Sequence, residues 1–153
     1  MNAASHNKWM KLALAEADRA FDLKEVPVGA VVVKGNHLIG KGHNQCEMLK
    51  DSTAHAEIIA ITAAANHLNN WRLEGCKLYV TKEPCAMCAG AVINSRLEQV
   101  IFGCYDEHEG CCGSLYQLCG DPRFAHRAAV KGGVLEQECG SLLTTFFNSR
   151  RKT

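Results

Sequence analysis

The chain of 153 residues lacks an excess of charge, a long apolar run and any internal repeat. Its 17 Lys and Arg residues nearly balance its 16 Asp and Glu residues, so the net charge of +1 does not predict binding to a polyanion. No stretch approaches the ~20 apolar residues of a membrane span, and charged residues interrupt the N-terminal segment before it forms a signal-peptide core. We therefore expect no membrane association and a cytoplasmic location.

The composition that remains is that of an ordinary globular protein, with 47% hydrophobic and 22% charged residues. A chain of this length is expected to form one domain over 1–153. The nine cysteines are an odd number, and no feature directs the chain to an oxidising compartment. Most of them are therefore expected to be reduced, with the adjacent Cys111 and Cys112 as candidates for redox sensitivity.

The spacing of apolar residues predicts helices and strands along most of the chain. Helical patterns cover 6–21, 54–68, 84–95 and 136–150. Strand patterns cover 28–33, 37–42, 76–81, 99–103 and 129–134, and the Gly35-Asn36 turn predicts that the first two form a hairpin. This order predicts an α/β protein with a mixed sheet of about five strands and helices on both faces.

Local signals predict the ends of these helices. Ser5 is available as the cap of the first helix, and Ser52 or Thr53 as the N-cap of the second. Pro84 is expected to open the third helix, because proline is tolerated at the first helical position.

The C-terminal third of the chain is expected to combine a long loop with a final helix. Residues 104–127 are rich in cysteine, glycine and charge, which predicts an ordered loop with a short helix near 114–118. The final helix is expected to turn four residues inward, namely Leu142, Leu143, Phe146 and Phe147.

Candidate metal ligands open two successive helices. His55 and Glu57 lie in the apolar stretch TAHAEIIAITAAA, where polar groups cost free energy unless something binds them. Cys85 and Cys88 follow in TKEPCAMC, and residues three apart share one face of a helix, so their sulfurs can converge. With His55 they supply one nitrogen and two sulfurs, which is the ligand count of a catalytic zinc site with a fourth position for water.

Glu57 is the candidate proton carrier. Residues two apart point to opposite sides of a helix, so His55 and Glu57 can serve one centre only if it lies off the helix end. From there the carboxylate of Glu57 can take a proton from a metal-bound water. Helix N-termini also favour the thiolate form of Cys85 and Cys88.

Each part of this pattern has a structural alternative. A lone histidine on an apolar helix is usually a core residue, and a lone C-x-x-C pair is usually structural or redox-active. A structural zinc site requires a fourth ligand, and the nearer candidates Cys46, Cys76 and Cys104 lack a paired spacing. The combination of H-x-E in one helix and P-C-x-x-C in the next is far more specific.

This combination resembles the signature of the zinc-dependent nucleoside and nucleobase deaminases. Further segments, among them EVPVGAVVV (25–33), LYVTKEPCAMCAGAVINSR (78–96) and FF..RR (146–151), extend the resemblance to the bacterial tRNA-specific adenosine deaminases. The resemblance implies a three-layer α/β/α cytidine-deaminase-like fold, a homodimer and one zinc ion per subunit. It also implies hydrolysis of the wobble adenosine of tRNA to inosine, with Glu57 as the catalytic residue and His55, Cys85 and Cys88 as metal ligands.

The same resemblance suggests substrate-binding residues. Asn44 matches an asparagine that holds the base, and Asp106 matches a position near the flanking nucleotides. The backbone N–H groups of Ala56 and Cys85 are candidates to donate hydrogen bonds to the zinc-bound oxygen. Contact with the anticodon stem-loop is implied for Phe147, Arg150, Arg151 and Lys152, in which the cations neutralise phosphates, with His126 and Arg127 as weaker candidates. Each of these residues also has an ordinary structural explanation, such as a strand-end Asn, a loop carboxylate or a solvated helix end.

Two other functions remain open at this point. The first is deamination of a free base such as guanine or cytosine, which the basic FF..RR tail argues against. The second is a non-catalytic zinc protein that binds RNA, although such a protein has no need of Glu57. Departures from the family pattern at Ser52, Cys104, Tyr105, Cys111 and Cys112 leave open which flanking bases are tolerated.

Overall fold

The computed structural model describes residues 2–151. Its helices are α1 (Ala3–Asp22), α2 (Cys46–Leu49), α3 (Ala56–Leu68), α4 (Ala86–Asn94) and α5 (Glu136–Arg151). Its strands are β1 (Gly29–Lys34), β2 (His37–His43), β3 (Cys76–Lys82), β4 (Gln99–Cys104) and β5 (Ala129–Lys131). None of the helices in this range is both long enough and apolar enough to span a bilayer.

The five strands form one mixed sheet, as predicted, and their order in the sheet is β2-β1-β3-β4-β5. β1 runs antiparallel to β2 and β3, whereas β3, β4 and β5 are parallel. The carboxyl ends of β2, β3 and β4 therefore share one edge of the sheet with the start of β1. The residues that follow these strands, or precede β1, are brought together at this edge.

Helices cover both faces of the sheet, which confirms the three-layer α/β/α prediction. On one face Val32, Leu78 and Val80 pack with the alanines of α3 and with α4. On the other face Val31 and Tyr79 pack with α1, and Ile101 lies in the same apolar cluster. Successive residues of a strand point to opposite faces of the sheet, so the central strands contribute buried side chains to both clusters.

α3 lies close to β2, and this approach positions the first turn of the helix. A Cβ atom at Gly42 would lie 2.7 Å from the carbonyl oxygen of Ala56, so a larger residue there would push the helix away. The first turn of α3 is thereby held beside the edge of the sheet where the strands end.

Three predicted helix ends were wrong. α1 is capped by Asn2, whose side chain accepts a hydrogen bond from the Ser5 N–H at 3.0 Å. α3 begins later than predicted, with His55 as its N-cap, because Asp51 accepts from both the N–H and the hydroxyl of Thr53 and holds a turn there. α4 has Cys85 as its N-cap, so Pro84 lies one residue before the cap.

Other differences concern short or exposed segments. The short α2 at Cys46–Leu49 was not predicted, and the helix predicted near 114–118 is replaced by turns with a single Cys112–Gln117 bridge. β5 ends at Lys131 and not at 134. Of the four residues predicted to face inward from α5, Phe146 is buried, Leu142 and Leu143 are partly buried, and Phe147 is 44% exposed.

Candidate metal centre and active-site cavity

A cavity of about 230 Å³ opens at the edge of the sheet where β2, β3 and β4 end. It is lined by Val26, Val28, Asn44, Cys46, His55, Ala56, Glu57, Lys82, Glu83, Cys85, Asp106 and Glu109. The apolar part of the wall precedes β1, while the polar part comes from the starts of α2, α3 and α4 and from the ends of β2, β3 and β4. An aromatic base with polar edges suits such a mixed wall.

The three predicted metal ligands come together beside this cavity: His55 and Cys85 line it, and the buried Cys88 lies against His55. Nδ1 of His55 lies 3.6 Å from the sulfur of Cys85 and 3.5 Å from the sulfur of Cys88. All three ligand atoms lie within 4.8 Å of one another. Among the described residues this is the one group of three or more His, Cys, Asp or Glu side chains placed to hold a metal ion.

These distances fit a tetrahedral metal ion. Nitrogen and sulfur ligands at about 2.05 and 2.3 Å from a zinc ion would lie about 3.6 Å apart along a tetrahedral edge. The observed separations of 3.5 and 3.6 Å match that edge. His55 and Cys85 are the N-caps of their helices and neither side chain caps its own helix, so both are available as ligands.

The electrostatics of the two cysteines also favour metal binding. The hydrogen bond from Cys88, with a smaller contribution from His55, lowers the pKa of Cys85 to about 3, although burial opposes this shift. The same contact with Cys85, together with burial, raises the pKa of Cys88. The pair therefore holds one thiolate stably and needs an added positive charge to hold a second.

Glu57 enters the cavity from the first turn of α3 and is only 4% exposed. Burial raises the pKa of its carboxyl group, and the backbone N–H at the helix start and nearby His55 only partly oppose this. A buried carboxyl group with a raised pKa is a stronger base than an exposed one. Ala56 lies between Glu57 and His55, so its backbone N–H is at the same helix start.

Asn44 lies directly after β2 and forms part of the cavity wall. Its side-chain amide donates to the carbonyl oxygen of Val26 at 3.3 Å, and its side-chain oxygen accepts from the thiol of Cys46 at 3.0 Å. Both the nitrogen and the oxygen of the carboxamide are therefore hydrogen-bonded, and these two bonds fix its orientation. Cys46 was not predicted to take part in the site.

Asp106 follows β4 and faces Lys82, the last residue of β3. The ammonium of Lys82 lies 3.0 Å from Oδ2 of Asp106. The other carboxylate oxygen accepts from the backbone N–H groups of His108 at 3.0 Å and Glu109 at 3.2 Å. Asp106 is thus a fixed part of the wall.

Glu83 is a second buried carboxylate of the wall, and the sequence analysis did not identify it. It accepts hydrogen bonds from the backbone N–H groups of Asp106, Cys112 and Ser114 and from the hydroxyl of Ser114. Burial alone would raise its pKa, but these donors outweigh burial and lower it. Its place directly before Pro84 and Cys85, at the end of a buried strand, was the available signal.

The predicted RNA-binding residues of α5 do not reach the cavity. Phe147 and Arg151 are exposed at the end of this helix, and Arg150 lies over the ring of Phe146 at 5.3 Å. Lys152 lies outside the described residues. His126, a weaker candidate, hydrogen-bonds the carbonyl oxygen of Leu97 at 2.7 Å, and Arg127 is exposed.

Comparison with known proteins connects this cavity to a family. The profile of the MafB19-like deaminase family matches residues 4–137. The chain is 50% identical to a tRNA-specific adenosine deaminase of Bacillus subtilis (strain 168), over 94% of this chain and 89% of the relative.

Two solved structures are also similar. The first comes from studies of A-to-I editing by tRNA:A34 deaminases at the wobble position of transfer RNA; it has a TM-score of 0.85 and 39% identity, and the match covers 89% of this chain and 99% of that chain. The second is a guanine deaminase from Bacillus subtilis, with a TM-score of 0.63 and 36% identity over 69% of this chain and 66% of that chain.

Proposed function

The chain belongs to the MafB19-like deaminase family and to the tRNA-specific adenosine deaminases, and from this membership we propose that it hydrolyses the wobble adenosine of tRNA to inosine and releases ammonia. The observation that carries the proposal is a buried Glu57 beside the His55, Cys85 and Cys88 donor set. A structural metal site has no need of such a carboxylate.

His55, Cys85 and Cys88 would hold one zinc ion per subunit, which supplies Lewis-acid activation of water at neutral pH. Glu57 accepts the proton that the attacking water gives up and passes it to the ring nitrogen of adenine. Glu57 then takes the second proton of the water, from the hydroxyl added at C6, and delivers it to the amino group, which leaves C6 as ammonia. The closed wall around Glu57 keeps bulk water from competing for this proton.

Asn44 is proposed to hold the edge of the base, because Val26 and Cys46 already orient its carboxamide. The backbone N–H groups of Ala56 and Cys85, at two helix starts, are proposed donors to the oxygen added at C6. Asp106 is proposed to lie near the nucleotides that flank the target.

Family membership supports a proposal for the wider assembly. The exposed Phe147, Arg150 and Arg151 are proposed to contact the anticodon stem-loop outside the cavity. We propose a single deaminase domain over 1–153 that works as a homodimer in the cytoplasm, where tRNA is found. The exposure of Leu115 and Tyr116, 50% and 67%, leaves apolar surface for a subunit contact, and sedimentation velocity would test the dimer.

The test is an inosine assay with zinc-loaded protein and an anticodon stem-loop that carries adenosine at the wobble position. We expect inosine from the wild type and none from Glu57→Ala, which should retain its zinc. Absence of inosine with the wild type would overturn the proposal. Ammonia release from guanine, without action on RNA, would instead support a free-base deaminase, for which the similarity to a guanine deaminase is the specific observation.

A non-catalytic zinc protein is distinguished by the same pair of proteins. It would bind the stem-loop equally well as wild type and as Glu57→Ala, with no turnover by either.

A further inference from the structure

The cavity wall is rich in carboxylates and poor in cations. Glu57, Glu83, Asp106 and Glu109 all line it, and Lys82 is the one Lys or Arg residue of the lining within residues 2–151. An RNA substrate carries a phosphate on each side of every nucleotide, so this wall repels the strand that must enter it. The ammonium of Lys82 is placed where it can offset that repulsion.

Lys82 is held in position by its neighbours. It is the last residue of β3 and pairs with Cys104 of β4, so its backbone is fixed by the sheet. Its ammonium lies 3.0 Å from Asp106, whose other oxygen is bound by two N–H groups of its own loop. Asp106 therefore cannot turn away without losing these bonds, and it keeps the ammonium at the cavity wall.

The ammonium still has capacity to bind an anion. The ammonium of a lysine has three N–H donors, and Asp106 is the one hydrogen-bonding partner of the Lys82 ammonium in the described part of the chain. The side chain is 28% exposed, compared with 12% for Asp106, so the lysine is the more accessible member of the pair. A phosphate oxygen could bind the free donors without displacing Asp106.

We propose that Lys82 binds a phosphate of the RNA strand next to the target adenosine, and that Asp106 is the positioning residue that aims its ammonium. This inference rests on the proposed function, because a free base brings no phosphate to the cavity. It also changes the expected role of Asp106, which would act on the substrate through Lys82.

The test combines Lys82→Met with uncharged methylphosphonate linkages placed, one at a time, on each side of the target adenosine in an anticodon stem-loop. For the wild type, one of these linkages should raise KM about five-fold. For Lys82→Met, KM with the normal RNA should rise by a similar factor, and the same linkage should then have no further effect. Lys82→Arg should restore sensitivity to that linkage.

A salt series gives a second measurement that a structural role would not change. The slope of log kcat/KM against log salt concentration should become shallower by about 0.7 to 1 for Lys82→Met. Lys41→Met is the matched control, since Lys41 is an exposed lysine of β2 that does not line the cavity. Its salt slope should equal that of the wild type.

The outcomes separate this inference from the proposed function. If the wild type forms no inosine, the proposed function fails. If the wild type is active but Lys82→Met keeps the wild-type salt slope and full sensitivity to both linkages, the inference about Lys82 is overturned and the proposed function stands.

Discussion

Glu57 and Glu83 are two buried carboxylates in the wall of one cavity, and their environments differ. They are 4% and 2% exposed, yet burial raises the pKa of Glu57 whereas hydrogen bonds lower the pKa of Glu83 against the effect of burial. Four donors converge on Glu83, all of them from the loop after β4. Burial alone therefore does not tell whether a carboxylate serves chemistry or structure; the number of donors does.

This comparison has an energetic side. An ionised carboxylate that is buried without enough donors destabilises the folded state, and one that satisfies several N–H groups stabilises it. We therefore expect Glu57 to lower the free energy of unfolding. We expect Glu83 to raise the free energy of unfolding, because it fixes the loop that carries Asp106. Substitutions that remove each charge but keep the shape should separate the two roles.

The largest effect is expected for Glu57→Gln. The amide cannot accept and deliver the proton, so kcat for inosine formation should fall by about 10³-fold. The free energy of unfolding should stay within about 1 kcal/mol of the wild-type value, because the removed charge is poorly solvated in the folded state and does not stabilise it. Kinetics and urea unfolding at equal zinc content would measure both, and a large loss of stability would contradict the contrast with Glu83.

Glu83→Gln should show the opposite pattern. The substitution replaces one carboxylate oxygen with an NH2 group, which cannot accept a hydrogen bond. Buried N–H groups therefore lose their acceptor, and the free energy of unfolding should drop by about 2 to 3 kcal/mol. At a temperature where the variant is folded, kcat should fall far less than for Glu57→Gln. Glu107→Gln is the matched control, since Glu107 is exposed in the same loop, and its unfolding curve should overlay that of the wild type.

The smallest effect is expected for Ser114→Ala. This variant removes the hydroxyl donor to Glu83 and leaves the backbone N–H bond of Ser114 in place, so a loss of about 1 kcal/mol is expected. In the Glu83→Gln background the same change should cost clearly less, because the two groups interact. Equal losses in both backgrounds would show that the hydroxyl does not act through Glu83.

The sequence predicted the convergence of His55, Cys85 and Cys88 more successfully than the cavity wall around them. The spacing of Cys85 and Cys88 is a property of one helix turn, and a centre off the helix end followed from the two-residue separation of His55 and Glu57. The fold class and the five strands followed from apolar periodicity in the same way. The helix predicted at 114–118 failed because Glu83, a residue distant in the chain, binds the backbone there.

Covalent geometry thus accounts for what could be derived from the order of residues: the apolar periodicity of helices and strands, and the spacing of Cys85 and Cys88 within one helix turn. The contacts of Lys82 with Asp106, of Asn44 with Val26 and of Glu83 with the loop after β4 depend on which strand ends are neighbours in the sheet. Strand order arises from long-range packing, in which many weak contacts act together, and no local pattern encodes it.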